Sequence, residues 1–276
     1  MKLLFLYIFG DSMQISVLIA AALALYGLLI GSFLNAWVWR IRTGRKVSEG
    51  RSMCPHCHTP LKWYELIPVL SWLGLRGKCR TCHKTISWQY PAVELANAVL
   101  WAGIYLSLSP TDLKDWFVVA LWLALSSLML AAFVYDARWM ELPDQFLIPS
   151  VVIALLLAVS TVWMTGSWME LVTRLLSAAL FTGIFWLIWR ASGGAWLGDG
   201  DIWLAGIMGL ALSGVQLVTA IFIGFNLGAI VGVILIAIHQ KTRKSTIAFG
   251  PFLIAGLFSG FFWGGSLLNW YLGIFI

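Results

Sequence analysis

The residues of this chain best suited to chemistry are two aspartates, Asp136 and Asp201, each placed at the edge of a long apolar segment. Asp201 closes the turn Gly198-Asp199-Gly200-Asp201, and Asp136 opens a link that runs through Arg138 to Pro143 and Asp144. An aspartate in or beside hydrocarbon costs about 3 kcal/mol on insertion scales, so it is retained for a reason and needs a partner. Two carboxylates brought close together share a proton and titrate as a pair. The unprotonated member can take a proton from water as it attacks an amide carbonyl. The protonated member polarises that carbonyl and later protonates the leaving nitrogen. Gly198 and Gly200 leave out side chains where an extended substrate backbone would approach. Asp199 and Asp144 are the competing acids, and both are expected to act locally, Asp144 as a helix cap after Pro143 and Asp199 in turn or substrate contacts.

The second candidate site is sulfur. Cys54, Cys57, Cys79 and Cys82 form two C-x2-C pairs separated by 21 residues, and the chain has no other cysteine. This spacing matches a tetrahedral four-thiolate zinc site, structural rather than catalytic because no position is left open for water. Such a staple would fold a loop too small to bury a core alone. His56, His58 and His83 stand beside the thiolates, where loop or supporting roles are favoured over ligation.

The elements that must position these groups are membrane spans. With 276 residues, 61% hydrophobic and 11% charged, the chain has too little polar surface for a soluble globule, and a span needs about 20 apolar residues. The pattern predicts an all-α polytopic membrane protein of about eight transmembrane helices, at roughly 15–38, 93–108, 116–135, 146–164, 171–189, two from the apolar stretch 202–238 broken near Ser213-Gly214, and 250–275. The segment before residue 15 is read as part of the membrane region rather than as a cleaved signal. The sixth span is short, so the turn at 198–201 is expected to dip to membrane depth and line a polar cavity. Three domains follow: a first span, 1–39; a four-cysteine loop domain, 40–92; and a transmembrane domain, 93–276.

Charge orients this arrangement. Residues 40–92 hold ten of the 18 Lys and Arg against Glu49 and Glu65, and the positive-inside rule places that loop in the cytoplasm. Arg190 and the run Lys241 to Lys244 are then also inside, with Lys2, Lys114 and Arg174 as the outside exceptions. Nucleic-acid binding is not needed to explain the basic loop, and the lipid bilayer is the expected partner. Both aspartates then lie at cytoplasmic span ends. The competing view, that they merely cap helices and face water, must explain two acidic clusters on one membrane face in a chain with 12 acidic residues. A transporter or proton relay built on the pair would need polar groups continuing through the spans, which are nearly free of them. A zinc scaffold without chemistry leaves the Gly-Asp-Gly-Asp turn unexplained. Glu94, at the start of the second span, either supports the substrate or cysteine loop or sits at a favourable helix N-terminus.

In order along the chain, these motifs resemble the type IV prepilin peptidase family, membrane aspartyl proteases of the GxGD type. The resemblance is carried by Gly31 to Asn35, Cys54 to Cys57, Ile67 to Trp72, Leu75 to Cys82, Ile86 to Glu94, Asp136 to Asp144, Gly198 to Asp201, and Phe249-Gly250-Pro251. It implies a bifunctional bacterial inner-membrane enzyme, acting on the cytoplasmic side. Such an enzyme cuts the basic leader of prepilins of type IV pili, or of type II secretion pseudopilins, and then N-methylates the new terminus with S-adenosylmethionine. By motif it makes Asp136 and Asp201 the proteolytic acids and associates methyl transfer with the cysteine loop. No glycine-rich dinucleotide fingerprint supports a donor site independently. One position departs from the family pattern: Trp203 stands where a lysine is usual.

Overall fold

The computed structural model describes residues 2–48, 50–240 and 247–273. Glu49 and the basic run Lys241, Arg243 and Lys244 lie outside them. Nine α-helices are formed among the described residues: α1 (Lys2–Arg42), α2 (Leu70–Gly74), α3 (Gln89–Leu108), α4 (Leu113–Trp139), α5 (Asp144–Thr165), α6 (Trp168–Ser192), α7 (Asp199–Ala211), α8 (Gly214–Ala237) and α9 (Gly250–Leu272). Seven of these are long and apolar enough to cross a membrane, all but α2 and α7, so the chain is a multi-pass membrane protein. Seven of the eight expected crossings are these helices; the expected short sixth span is α7, whose 13 residues are too few to cross a membrane. The break expected near Ser213 is present, with Ser213 as the N-cap of α8 and its backbone N–H donating to Gln216.

Two of the expected boundaries shift. The first span is part of one continuous 41-residue helix that starts at Lys2, since no proline or charge cluster interrupts its apolar run. Asp136 lies inside α4 rather than at its exit, one turn before the end at Trp139.

The chain forms two compact units, one up to Asp115 and one from Trp116 onward. In the first, α1 packs along α3, and buried amides join the two helices. Asn97 donates to the Gly27 carbonyl at 2.8 Å, and Asn35 donates to the Tyr90 carbonyl at 3.1 Å while accepting from the Gln89 amide. Between apolar helices in a membrane, such interhelical hydrogen bonds contribute roughly 0.6–2 kcal/mol each. In the second unit α7 is enclosed by α5, α6 and α9, and Leu204, Ala205, Ile207 and Met208 are buried on it. α8 and α9 pack backbone to backbone along Gly256, Gly260 and Gly264, whose faces meet Ala220 and Gln216 of α8. That stripe of small residues allows the close approach on which membrane helices rely, and it fixes α9, whose first residue is Gly250.

Candidate active site

Asp201 is the third residue of α7, and its position follows from the glycine turn before it. The Gly198 N–H donates to Asp201 Oδ2 at 3.1 Å, satisfying one of the orphan donors of the helix start and pinning one carboxylate oxygen. Asp199, exposed, accepts the Gly200 N–H at 2.9 Å, the local turn contact expected of it. Gly200 has a packing reason rather than a purely substrate-facing one. A β-carbon there would lie 2.7 Å from Leu142 Cβ and Cδ1, so the α4–α5 link rests directly on the first turn of α7. The two motifs therefore interlock through Gly200 and Leu142.

Asp136 is held from another direction. The backbone of Gly250, the first residue of α9, hydrogen-bonds its carboxylate. A β-carbon on Gly250 would fall 2.5 Å from Asp136 Oδ2 and 3.2 Å from Leu204 Cδ1, one turn beyond Asp201. α4, α7 and α9 thus converge on one point. Asp136 and Asp201 are each 5% exposed, and the charge of Asp136 acts on Asp201. Each carboxylate is steadied by one backbone N–H, leaving its other lone pairs for a water or a substrate. Sequence reasoning singled out both acids but treated Gly250 as a span entry only. The signal was there in Gly250-Pro251, a residue without a side chain immediately before a helix-starting proline.

Pro143, not Asp144, occupies the N-cap position of α5, and no side chain caps that end. Asp144 is the first helical residue and is exposed, so the expectation that it caps the helix is corrected. Its charge still favours a helix N-terminus. Trp203, one turn along α7, is half exposed.

A substitution at Gly250 should separate positioning from folding. Gly250→Ala must push α9 or the Asp136 carboxylate aside, and a misplacement of about 1 Å costs on the order of 10²-fold in rate. We expect any hydrolytic activity of the pair to fall by that factor in steady-state kinetics. Gly265→Ala, on the same helix in open space, should leave it unchanged.

The four cysteines form a second centre in the first unit. Their sulfurs lie within 4.8 Å of one another, with Cys54 to Cys82 at 3.9 Å and Cys57 to Cys79 at 4.0 Å. All four are free thiols. A tetrahedral ion with metal–sulfur bonds of about 2.3 Å gives sulfur–sulfur edges of about 3.8 Å, so the cluster has the size of a four-thiolate metal site.

Each pair sits in the same kind of turn. Isolated bridges Met53 to Pro60 and Lys78 to Thr85 close the two turns. His58 and His83, both at positive φ, donate backbone N–H groups to the Cys54 and Cys79 carbonyls at 3.0 and 2.9 Å. The loop therefore contains a short internal repeat that the sequence reading did not find, carried by the shared pattern C-x-x-C-H-x4-W of Cys54 to Trp63 and Cys79 to Trp88. The histidines serve as turn residues. Hydrogen bonding from Thr59, side chain and backbone, holds the Cys57 thiol down to about 6, while, against the Lys84 backbone bond, burial and the neighbouring thiols push Cys82 up to about 11.

Glu94 resolves the alternatives left open for it. It is buried, and its carboxylate accepts the Val69 N–H at 2.7 Å. Val69 has φ 59°, a costly conformation for a β-branched residue that persists only when its surroundings fix it. Glu94 thus clamps the strip Ile67 to Leu73 onto α3. Glu65 does related work, accepting from Lys62 N–H and pairing with Arg80 between the second pair of cysteines. Trp72 completes the loop by donating its indole N–H to the Ile86 carbonyl at 3.1 Å.

Comparison with known proteins places this arrangement. Residues 25–108 match the Bacterial Peptidase A24 N-terminal domain, and residues 123–233 match the Type IV leader peptidase family. Among similar proteins, the prepilin leader peptidase/N-methyltransferase of Aeromonas hydrophila is 30% identical over 280 residues, covering 91% of this chain and 93% of that protein. The protein of the same name from Bacillus subtilis (strain 168) is 31% identical over 262 residues, covering 91% and 96%. That from Xanthomonas campestris pv. campestris is 31% identical, covering 89% and 92%. No solved structure matches the chain. With relatives alike along nearly the whole length and both of its regions matched in order, this chain belongs to the type IV leader peptidase family.

Proposed function

We propose that this chain cleaves the basic leader of prepilins or pseudopilins at the cytoplasmic face of a bacterial inner membrane and then N-methylates the new amino terminus. The observation that carries the peptidase half is the convergence of Asp136 and Asp201, both buried, each fixed by a backbone N–H from a separate helix start. Buried and paired, they can hold one proton between them. The ionised member takes a proton from a water as its oxygen bonds to the scissile carbonyl carbon. The protonated member hydrogen-bonds the carbonyl oxygen, and the tetrahedral species collapses as a proton passes to the leaving nitrogen. Asp199 and Asp144, both exposed, and the turn residues Gly198 and Pro143 would frame the approach of the substrate chain, with Gly200, buried against Leu142, fixing the turn.

A proton relay gains no support from the spans. The buried hydroxyls of Ser126, Ser150 and Ser160 each donate to a carbonyl of their own helix, so their protons are committed locally.

We assign the loop 40–92 to the methyl-transfer half, with residues 1–39 as its first span and 93–276 as the transmembrane peptidase domain. The four thiolates would hold a structural zinc ion, whose role is to fix the two turns. S-adenosylmethionine would supply the methyl group. Among the described residues no glycine-rich loop of dinucleotide type is formed. The excess of positive charge on this loop supports its cytoplasmic placement.

The function is tested by incubating membranes that contain the chain with a prepilin-type substrate and a labelled methyl donor, then weighing the mature N-terminal peptide. A product cut after the leader and heavier by one methyl group is expected. An intact leader in the presence of properly inserted protein would overturn the peptidase reading, and a cut but unmethylated product the transferase reading.

A further inference from the structure

One cation in the second unit is not used by the aspartate pair. Arg174 lies on α6, and its Nη1 donates to the last carbonyls of α7, to Leu210 O at 3.1 Å and Ala211 O at 2.5 Å. α7 needs such a partner. Its 13 residues rise about 20 Å, against a hydrocarbon core of about 30 Å. Its two ends therefore cannot both reach the membrane surfaces, and its last carbonyls have no donor within the helix. Leu210, Ala211 and Leu212 at that end are all buried. A guanidinium there satisfies two acceptors with one group and meets the negative end of the helix dipole. This also gives a reason for an arginine at a position that charge orientation alone left as an exception.

Beside the guanidinium is a cavity of about 120 Å³, lined among others by Trp122, Leu157, Thr161 and Thr165. It is poorly suited to an anion. The hydroxyls of Ser160, Thr161 and Thr165 already donate to carbonyls of their own helix, and Arg174 is directed at α7. It does give water a place to stand if the guanidinium is removed. The end of α7 would then be solvated rather than unfolded, and would lose its fixed height instead of its helix.

We propose that Arg174 is a positioning residue for peptide cleavage. By gripping the end of α7 it sets the height of this short helix, and so the placement of Asp201 at the opposite end against Asp136. The proposal rests on the reading of Asp136 and Asp201 as the proteolytic pair. α7 is a stiff rod seated at its start against Leu142 and farther along against Ala178 of α6, so the Arg174 grip fixes its far end, and releasing that end loosens the rod that carries Asp201. The Gly198 N–H moves with the helix and cannot resist that loosening, because it belongs to the same turn as Asp201.

The test compares Arg174→Met and Arg174→Lys with the unaltered chain in membranes. It measures kcat, KM and the pH–rate profile for cleavage, and methyl transfer to an already cleaved peptide as a gauge of folded protein. Arg174→Met is expected to lower kcat by about 10- to 100-fold with KM within about twofold. Its pH profile should be displaced, since the acids acting on Asp201 are Asp136 and Asp199 and the separation from Asp136 changes. Methyl transfer should be unaffected. Arg174→Lys, which can still donate to the α7 carbonyls, should recover most of the rate. Should the methionine variant fail to accumulate, Arg174→Gln against Arg174→Lys makes the same comparison.

An unchanged kcat and pH profile would overturn the proposal. So would equal loss of cleavage and methyl transfer with an unshifted profile, which would mean that Arg174 only holds the fold together. Asp201→Asn assayed alongside separates the two layers: if it still cleaves, the pair itself is misassigned.

Discussion

Asparagine at either Asp136 or Asp201 is expected to reduce leader cleavage by about 10³-fold or more, at the upper end of what a positioned acid or base contributes. The substitution keeps size and shape. In Asp201→Asn the amide oxygen could still accept the Gly198 N–H, and in Asp136→Asn the Gly250 N–H, so the local hydrogen bonds seen around both acids survive. What is lost is the exchangeable proton and the negative charge. Because each carboxylate is buried at 5% exposure, no bulk water can act as a substitute buffer at that position. Single-turnover cleavage in membranes checks this, with methyl transfer to a pre-cut peptide reporting on folded protein. Cleavage within about tenfold of the unaltered rate in either variant would remove that residue from the mechanism.

The second large effect concerns the cysteines. Changing Cys54 and Cys79 together to serine is expected to reduce bound zinc from about one ion per chain to background, to expose the loop to proteases, and to abolish methyl transfer. The physical ground is that, apart from the Glu94, Glu65 and Trp72 contacts, the loop buries little apolar surface of its own. Leu70 and Leu73 of α2 are exposed, as are Trp63 and Trp88, and the repeated turns are each closed by one isolated bridge. The apparent free energy of structural zinc binding, roughly 10–16 kcal/mol in small domains, is then also the folding free energy of the loop. Metal analysis and limited proteolysis with and without a chelator provide the check. A loop that stays protected and active after complete metal removal would contradict a structural zinc. Cleavage, proposed for the unit that holds Asp136 and Asp201, should fall by a smaller factor than methyl transfer.

How far the sequence was legible depends on the range of the interaction involved. Spans are local: some 20 apolar residues announce themselves wherever they occur, and α3 to α9 stand close to where the hydropathy pattern puts them. Charge forced the break at Ser213 even though the apolar stretch runs straight through it. Helix ends were less legible. Nothing in residues 2–14 says that α1 begins at Lys2, and the α4 end extends past Asp136 because Arg138 and Trp139 are both acceptable in a last turn.

The acids were legible by type and rarity, since a carboxylate at membrane depth is costly. What holds them was not. Gly250 meets Asp136 across more than a hundred residues of chain, and Gly200 meets Leu142 only because the link between α4 and α5 folds over α7. Such contacts are tertiary and leave no spacing to read. The same holds for Glu94. Its sequence position suits a helix N-terminus, yet the structure uses its carboxylate to hold Val69 in a strained turn. The repeat of the two cysteine turns was legible in the shared C-x-x-C-H-x4-W pattern, but its ten-residue length is short beside the spans, and the matching bridges make it plain.

The central claim is that Asp136 and Asp201 work as one catalytic unit, and the measurement that tests it most directly is the single-turnover cleavage rate of Asp136→Asn, Asp201→Asn and the double variant under identical conditions. Groups that act together are grossly non-additive, so losing one costs nearly as much as losing both. The double variant is expected to show the same residual rate as either single variant, within about threefold. A double-variant loss equal to the product of the two single losses would contradict the account, since it would mean that the two carboxylates contribute independently.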